Sequence, residues 1–223
     1  MRKIPLALST LTVVIAGGVI ASMSLLQPTS STKAQTPAQS QAQMDALKQK
    51  QTQTQNKTCY PPEYTPSGDL VLPKNFHEWI FVGDPFTPNA LNGGMANFPE
   101  FHNVYMEPCS YEKYQQTNVF PEGTIFFKEL QLTQPSQFPD GSRTEPSGRG
   151  YFPGAFNGAD ATVKDSKRYG ASGSTWGFYN FNHYEPKAPT AKVKAVSECA
   201  FCHLSLGAKK DEVWTQFYRI LDH

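Results

Sequence analysis

Cys199, Cys202 and His203 are the residues whose types and spacing can do chemistry. They lie in the run Cys199-Ala200-Phe201-Cys202-His203, which reads C-x-x-C-H. This is the attachment signature of a c-type haem. Both thiols add to the vinyl groups of the macrocycle, and the adjacent imidazole is placed to ligate the iron. Chance placement of 4 Cys and 5 His in 223 residues would almost never produce the pattern. Two other readings of the thiols compete. A redox-active C-x-x-C opens a long helix in a βαβ setting, which this sequence lacks. A zinc site would need Cys59 and Cys109 to complete four thiolates. The expectation is one covalent haem c per chain, held by Cys199 and Cys202, with His203 as its metal ligand.

Cys59 and Cys109 remain. In an oxidising compartment they most simply pair with each other. Closing a loop of that length stabilises by about 4 kcal/mol in the chain-entropy account. Two unpaired thiols are the alternative. For the second axial position of the iron the domain offers Met95, Met106, His77, His102 and His183, with His223 at the terminus, and none sits in a diagnostic context. The abundance of aromatics, 15 Phe and 10 Tyr, suggests instead an apolar pocket over an open coordination position.

The elements that must position these residues follow from the rest of the chain. Lys+Arg number 20 against 19 Asp+Glu, a net charge of +1 that argues against a nucleic-acid-binding protein. The mean hydropathy of -0.48 excludes a polytopic membrane protein. Residues 1–34 read as a signal peptide: Arg2 and Lys3, then an uncharged stretch from Ile4 to Leu26. That stretch is also long enough to serve as an uncleaved N-terminal anchor. Either way the expectation is an exported, periplasmic body. Residues 35–57, dominated by Gln, Thr, Ala and Lys, read as a disordered, solvated linker. A single folded domain is expected over 58–223.

Within it, turn signals such as Pro121-Glu122-Gly123 and Pro139-Asp140-Gly141 separate short apolar runs of β type: Phe101–Met106, Thr124–Leu130, Ala159–Val163 and Trp176–Phe181. Short helices are expected at Asn75–Val82, at Ser110–Gln116 and around Trp214–Leu221. Thr133–Arg149 reads as a mobile polar loop. The fold class is therefore α+β, a mainly antiparallel sheet with a few short helices and the haem c motif near the C-terminus.

The chain then resembles the cytochrome P460 family, which includes the β-type cytochromes c′. The matching segments are 70–83, 104–130, 150–169, 176–181 and 198–203, the last two reading WGFYNF and ECAFCH. The resemblance implies a mostly antiparallel fold, a homodimer and one haem c per chain. It also implies a lysine on a central strand that is cross-linked to a meso carbon of the haem. The matching position, in a K-E-L strand end, is Lys128. Alternation puts Lys128 on one face with Phe126 and Leu130, an unusual place for a lysine unless it snorkels to an edge. The family's distal glutamate corresponds to Asp160, one methylene shorter, which leaves three options: it acts through water, it acts weakly, or it is a surface acid near Lys164. Lys164 and Arg168 read as solvated charges.

By this resemblance Lys128 and Asp160 are catalytic, and Lys128 joins Cys199, Cys202 and His203 in holding the haem. The implied function is oxidation of hydroxylamine to nitric oxide or nitrous oxide at an open iron site, with a soluble cytochrome c as electron acceptor. The alternative is a non-enzymatic protein that binds nitric oxide. A plain electron carrier using Met95 or Met106 ranks third.

Overall fold

Strands form where apolar and β-branched residues alternate between turns, and the longest are the central ones. In the computed structural model, which describes residues 41–45, 58–206 and 210–222, β1 (Leu70–Val71) pairs with β9 (Thr190–Ala191) as a two-stranded sheet. β2 (Ile80–Gly83), β3 (Phe101–Met106), β4 (Ile125–Thr133), β7 (Pro153–Lys164) and β8 (Trp176–Asn180) form an antiparallel sheet of five strands in the order β2-β3-β4-β7-β8. The helices are short: α2 (Pro108–Thr117), α3 (Ser166–Tyr169) and α4 (Ala200–Leu206). The expected α+β architecture is the observed one.

Residues 41–45, within the segment read as linker, form an exposed helical turn, α1. Residues 1–34, the rest of 35–57, and His223 lie outside the described residues. Among the described residues no helix is long and apolar enough to cross a membrane.

Alternation divides the sheet's side chains into two cores. One face carries Ile125, Phe127, Ala161, Val163 and Tyr179, packed against Leu70 and Trp79. The other carries Val104, Met106, Phe126, Trp176 and Phe178, covered by Tyr114 of α2, Ala200 of α4, and Val213 and Leu221 from the C-terminal segment. At β7 the alternation is reset. Glu129 pairs with Ala159 but Gln131 with Phe156, so one extra residue is accommodated around Gly158. Gly158 has φ 92°, and a Cβ there would stand 2.0 Å from the Asn182 carbonyl oxygen. Only glycine fits.

Three expectations need correction. Asn75–Val82 is a 3₁₀ turn, Phe76–Glu78, followed by strand β2; its aromatic and β-branched residues pair with β3 rather than continuing a helix. The closing helix shrinks to Thr215–Phe217. Thr133–Arg149 is not an unstructured loop: β5 (Arg143–Glu145) pairs with β6 (Gly148–Gly150), and Arg149 binds Asp140 at 2.7 Å while lying over the Phe138 ring.

Helix α2 starts where sequence physics would start it, with Pro108 at its first turn. Glu107 caps it, accepting from Cys109 N at 3.1 Å and Ser110 N at 2.7 Å. The same carboxylate accepts from Tyr60 N at 3.0 Å. Cys59 and Cys109 are joined as a disulfide, with 5.5 Å between their Cα atoms. The entering chain is thus fastened to α2 twice, once covalently and once through a buried carboxylate. The pairing removes the zinc reading, which required both thiolates. Replacing both cysteines by serine should lower stability by about 4 kcal/mol, measured as the loss in denaturant unfolding free energy with the slope checked for constancy.

Candidate functional site

The C-x-x-C-H motif opens and occupies α4, which lies against the face of the sheet that bears Phe126 and Phe178. Ala200 is fully buried there. Cys199 and Cys202 are free, half-buried thiols three residues apart, on one side of the helical turn. His203 is clamped between aromatic rings: Trp214 stacks on it at 4.4 Å and Phe178 meets it at 4.7 Å.

Its orientation is fixed by one hydrogen bond, from Nδ1 to the carbonyl oxygen of Glu212, at 3.0 Å. A carbonyl only accepts, so Nδ1 carries the proton. Nε2 keeps its lone pair for a metal, the arrangement that metal-ligating histidines require. Burial, more than any other influence, holds the imidazole's pKa below the ordinary histidine value, which favours the neutral ligand form.

The Glu212 carbonyl is presented by a strained strap. Asp211 and Glu212 have φ values of 56° and 63°, the left-handed region, although neither is glycine. Such residues cost of order 1–3 kcal/mol each and persist only where the surroundings over-determine them. Here the surroundings are explicit. The Glu212 carboxylate accepts from Ser174 Oγ at 2.6 Å and Thr175 N at 3.0 Å. Trp176 Nε1 donates to the Asp211 carbonyl at 2.8 Å. The Asp211 carboxylate pairs with Lys164. Lys164, expected to be solvated, is therefore buried at 8% exposure in a structural ion pair. Arg168, also expected in solvent, lies 4.0 Å over the Tyr64 ring and donates to the Gly68 carbonyl.

Facing α4 is the pair that the sequence singled out. Lys128 on β4 stands directly opposite Asp160 on β7, and Asp160 directly opposite Asn180 on β8. Lys128 Nζ is 2.8 Å from Asp160 Oδ2, and Asn180 Nδ2 donates to Asp160 Oδ1 at 2.7 Å. Lys128 Nζ also sits 3.9 Å over the Phe98 ring. Asp160 is thus no surface acid near Lys164; it belongs to Lys128. Burial works to raise its pKa, but the charge and hydrogen bond of Lys128, with the bond from Asn180, outweigh it and hold the carboxyl below its ordinary value. The pair and the motif share one neighbourhood. Asp160 helps burial push the Cys199 thiol up, and Lys128 helps burial pull His203 down.

The remaining candidates divide. His102 and exposed His183 lie beside the pair, both in ring contact with Phe98, at 5.6 Å and 6.1 Å. His77 is on the opposite face, bonded to buried Glu129 at 2.8 Å. Met106 is buried core, and Met95 is 85% exposed. Sequence reasoning missed Phe98, Asn180, Glu212 and Trp214. Asn180 alone had a signal, an amide ending a strand of aromatics.

The donor set fits a haem of c type. Two free thiols sit one helical turn apart, beside an imidazole whose metal-facing nitrogen is unprotonated and whose other nitrogen is anchored, on an aromatic-walled face. Substituting Lys128 by Met should remove the largest influence opposing burial at Asp160, leaving chiefly the Asn180 bond against it, and so raise the carboxyl pKa. Infrared detection of a protonated carboxyl stretch near neutral pH, absent in the wild type and in Asp160→Asn, checks this.

No curated protein matches the chain. The family model for cytochrome P460 matches residues 73–215, which run from before β2 through the haem motif to the start of the closing 3₁₀ turn. With that match over most of the sequence, and the motif, the anchored imidazole and the Lys128–Asp160 pair in one place, the chain belongs to the cytochrome P460 family and is a haem c protein of that type.

Proposed function

We propose that the chain is an exported mono-haem oxidoreductase of the P460 type that oxidises hydroxylamine, passing electrons to a soluble cytochrome c and working as a homodimer. The observation that carries the reading is the Lys128–Asp160 pair across β4 and β7, at 2.8 Å, facing the C-x-x-C-H helix. Cys199 and Cys202 would hold one haem per chain through thioether bonds, and His203 would ligate its iron through Nε2. When bound, the haem supplies an electron sink and an open coordination position. Lys128, by the family resemblance, would attach to the macrocycle as a third tether.

Asp160 then acts as the proton acceptor. While Lys128 carries its charge, Asp160 is held ionised and is a weak base. Neutralising that ammonium would remove the largest influence that lowers the Asp160 carboxyl and leave burial, opposed chiefly by the Asn180 bond, to raise it toward the range useful for taking a proton. Asn180 holds the carboxylate in place by its remaining oxygen. The aromatic surround of Phe98, Phe178 and Trp214 limits water around the reacting groups. Phe98 also supports the second reading, a non-enzymatic nitric-oxide-binding protein, because its ring, 3.9 Å from Lys128 Nζ, crowds the Lys128–Asp160 pair.

The ferrous absorption spectrum separates the two. A strongly red-shifted Soret band in the wild type, returned to that of ordinary haem c by Lys128→Ala, is expected of the oxidoreductase. A normal c-type spectrum in both proteins, with reversible nitric oxide binding, is the outcome that selects the second reading. Asp160→Ala should lower hydroxylamine oxidation about 10²–10⁴-fold with the spectrum nearly unchanged, and Asp160→Glu should preserve or raise the rate. Steady-state turnover with an artificial electron acceptor measures it.

A further inference from the structure

His102 is a half-buried polar side chain, with its Nε2 enclosed, that the proposed chemistry leaves unused. It stands on β3 opposite Leu130, two residues from Val104, which is itself opposite Lys128. His102 and Lys128 are therefore diagonal neighbours on one face of the sheet, within reach of long side chains. The Phe98 ring joins them: its centroid is 5.6 Å from the His102 ring and 3.9 Å from Lys128 Nζ.

The imidazole is half satisfied. It bonds to the backbone of Phe98, while Nε2 is buried with no hydrogen-bond partner. The bond to Phe98 must then come from Nδ1, donating to a carbonyl. Nε2 is left as an unprotonated acceptor. Burial, then the charge of Lys128, lowers the pKa to about 4, so the ring is neutral at ordinary pH. A buried acceptor without a donor costs free energy, and native proteins seldom leave one so. Lys128 does not fill the gap, because its ammonium is turned to Asp160. A small molecule bearing an N–H or O–H could donate to this acceptor.

We infer that His102 Nε2 is a ligand-recognition group, accepting a hydrogen bond from a small donor-bearing nitrogen compound held at the site and so favouring it over ligands with no hydrogen to donate. This rests on the reading of the site as one for small nitrogen ligands. Hydroxylamine and hydrazine carry such hydrogens. Nitric oxide does not, and it serves as the comparator.

The test uses the haem-loaded full chain as wild type, His102→Leu and His102→Gln. Each is titrated with hydroxylamine, hydrazine and nitric oxide, and binding is followed by absorbance under conditions without turnover. His102→Leu should weaken both donor-bearing probes about three- to tenfold, the loss of one hydrogen bond, with nitric oxide affinity within about twofold. His102→Gln, whose Oε1 also accepts, should recover most of the loss. Unchanged nitric oxide binding reports that the variants keep the site folded. Equal weakening of all three probes, no weakening of any, or a wild type that binds nitric oxide but neither donor-bearing probe overturns the inference. If the expected pattern is seen but hydroxylamine is never oxidised, the oxidoreductase reading fails and His102 stands. If hydroxylamine is turned over while wild type and His102→Leu bind it equally, the reverse holds.

Discussion

A lysine and an aspartate, paired across the adjacent strands β4 and β7 on a largely apolar sheet face, set the terms for the rest of the site. Neither charge can be left alone there. Removing one partner would strand the other in surroundings that do not solvate it, which typically costs several kcal/mol. Their meeting depends on register, because a slip of one residue would send Lys128 or Asp160 to the opposite face. The register is set two residues away, at Gly158. The close approach of the Asn182 backbone there admits no side chain, and the bulge re-phases β7 so that Asp160 faces Lys128 and Asn180 together. The backbone geometry of one glycine and the electrostatics of one ion pair are thus a single constraint.

The opposite side of the site is held by other means. His203 lies on a short helix, and seven residues of helix cannot fix an imidazole by themselves. Its direction comes from the Glu212 carbonyl, and that carbonyl points correctly only because two non-glycine residues accept left-handed backbone. The strain is offset by buried polar contacts that reach into β8 and its preceding turn, through Ser174, Thr175 and Trp176. Lys164, at the end of β7, closes the circuit through Asp211. The strand that carries Asp160 therefore also helps hold the strap that orients His203. A disturbance at β7 would reach both sides of the site.

How much of this could be read in advance follows a physical divide. The haem motif is local, five consecutive residues, and C-x-x-C-H has few competing meanings. The central strands were legible because their runs alternate, and most of α2 because the Tyr111–Tyr114 spacing marks it. The Asn75–Val82 segment misled because a 3₁₀ turn followed by a strand can carry the same apolar spacing as a short helix. Lys128 stood out as a charge in an apolar alternation. Asp160 was singled out by resemblance as a distal carboxylate, but its pairing with Lys128 was open until the register was known. Lys164 was misread because a lysine's burial depends on a carboxylate 47 positions away, at Asp211. Phe98, Glu212 and Trp214 carry no local signal. Their roles arise from loops meeting the sheet in three dimensions, with strain at Glu212 that no pattern of residue types encodes.

The site is consequently asymmetric in how it holds charge, and that asymmetry bears on what it can bind. On the α4 side the contacts that orient the imidazole are already made: its Nδ1 is used, and the carboxylate of Glu212 is engaged by Ser174 and Thr175. On the strand side the contacts are conditional. Asp160 is tied to Lys128 only while the lysine keeps its ammonium charge, and His102 keeps an acceptor in reserve. A fixed side suits a group held permanently, since a rigid ligand geometry lowers the cost of holding a metal. A conditional side suits a small ligand that arrives with protons and leaves without them, because the groups that must exchange partners are not already committed. The division of labour follows from which polar groups the fold satisfies by itself and which it leaves for something else to satisfy.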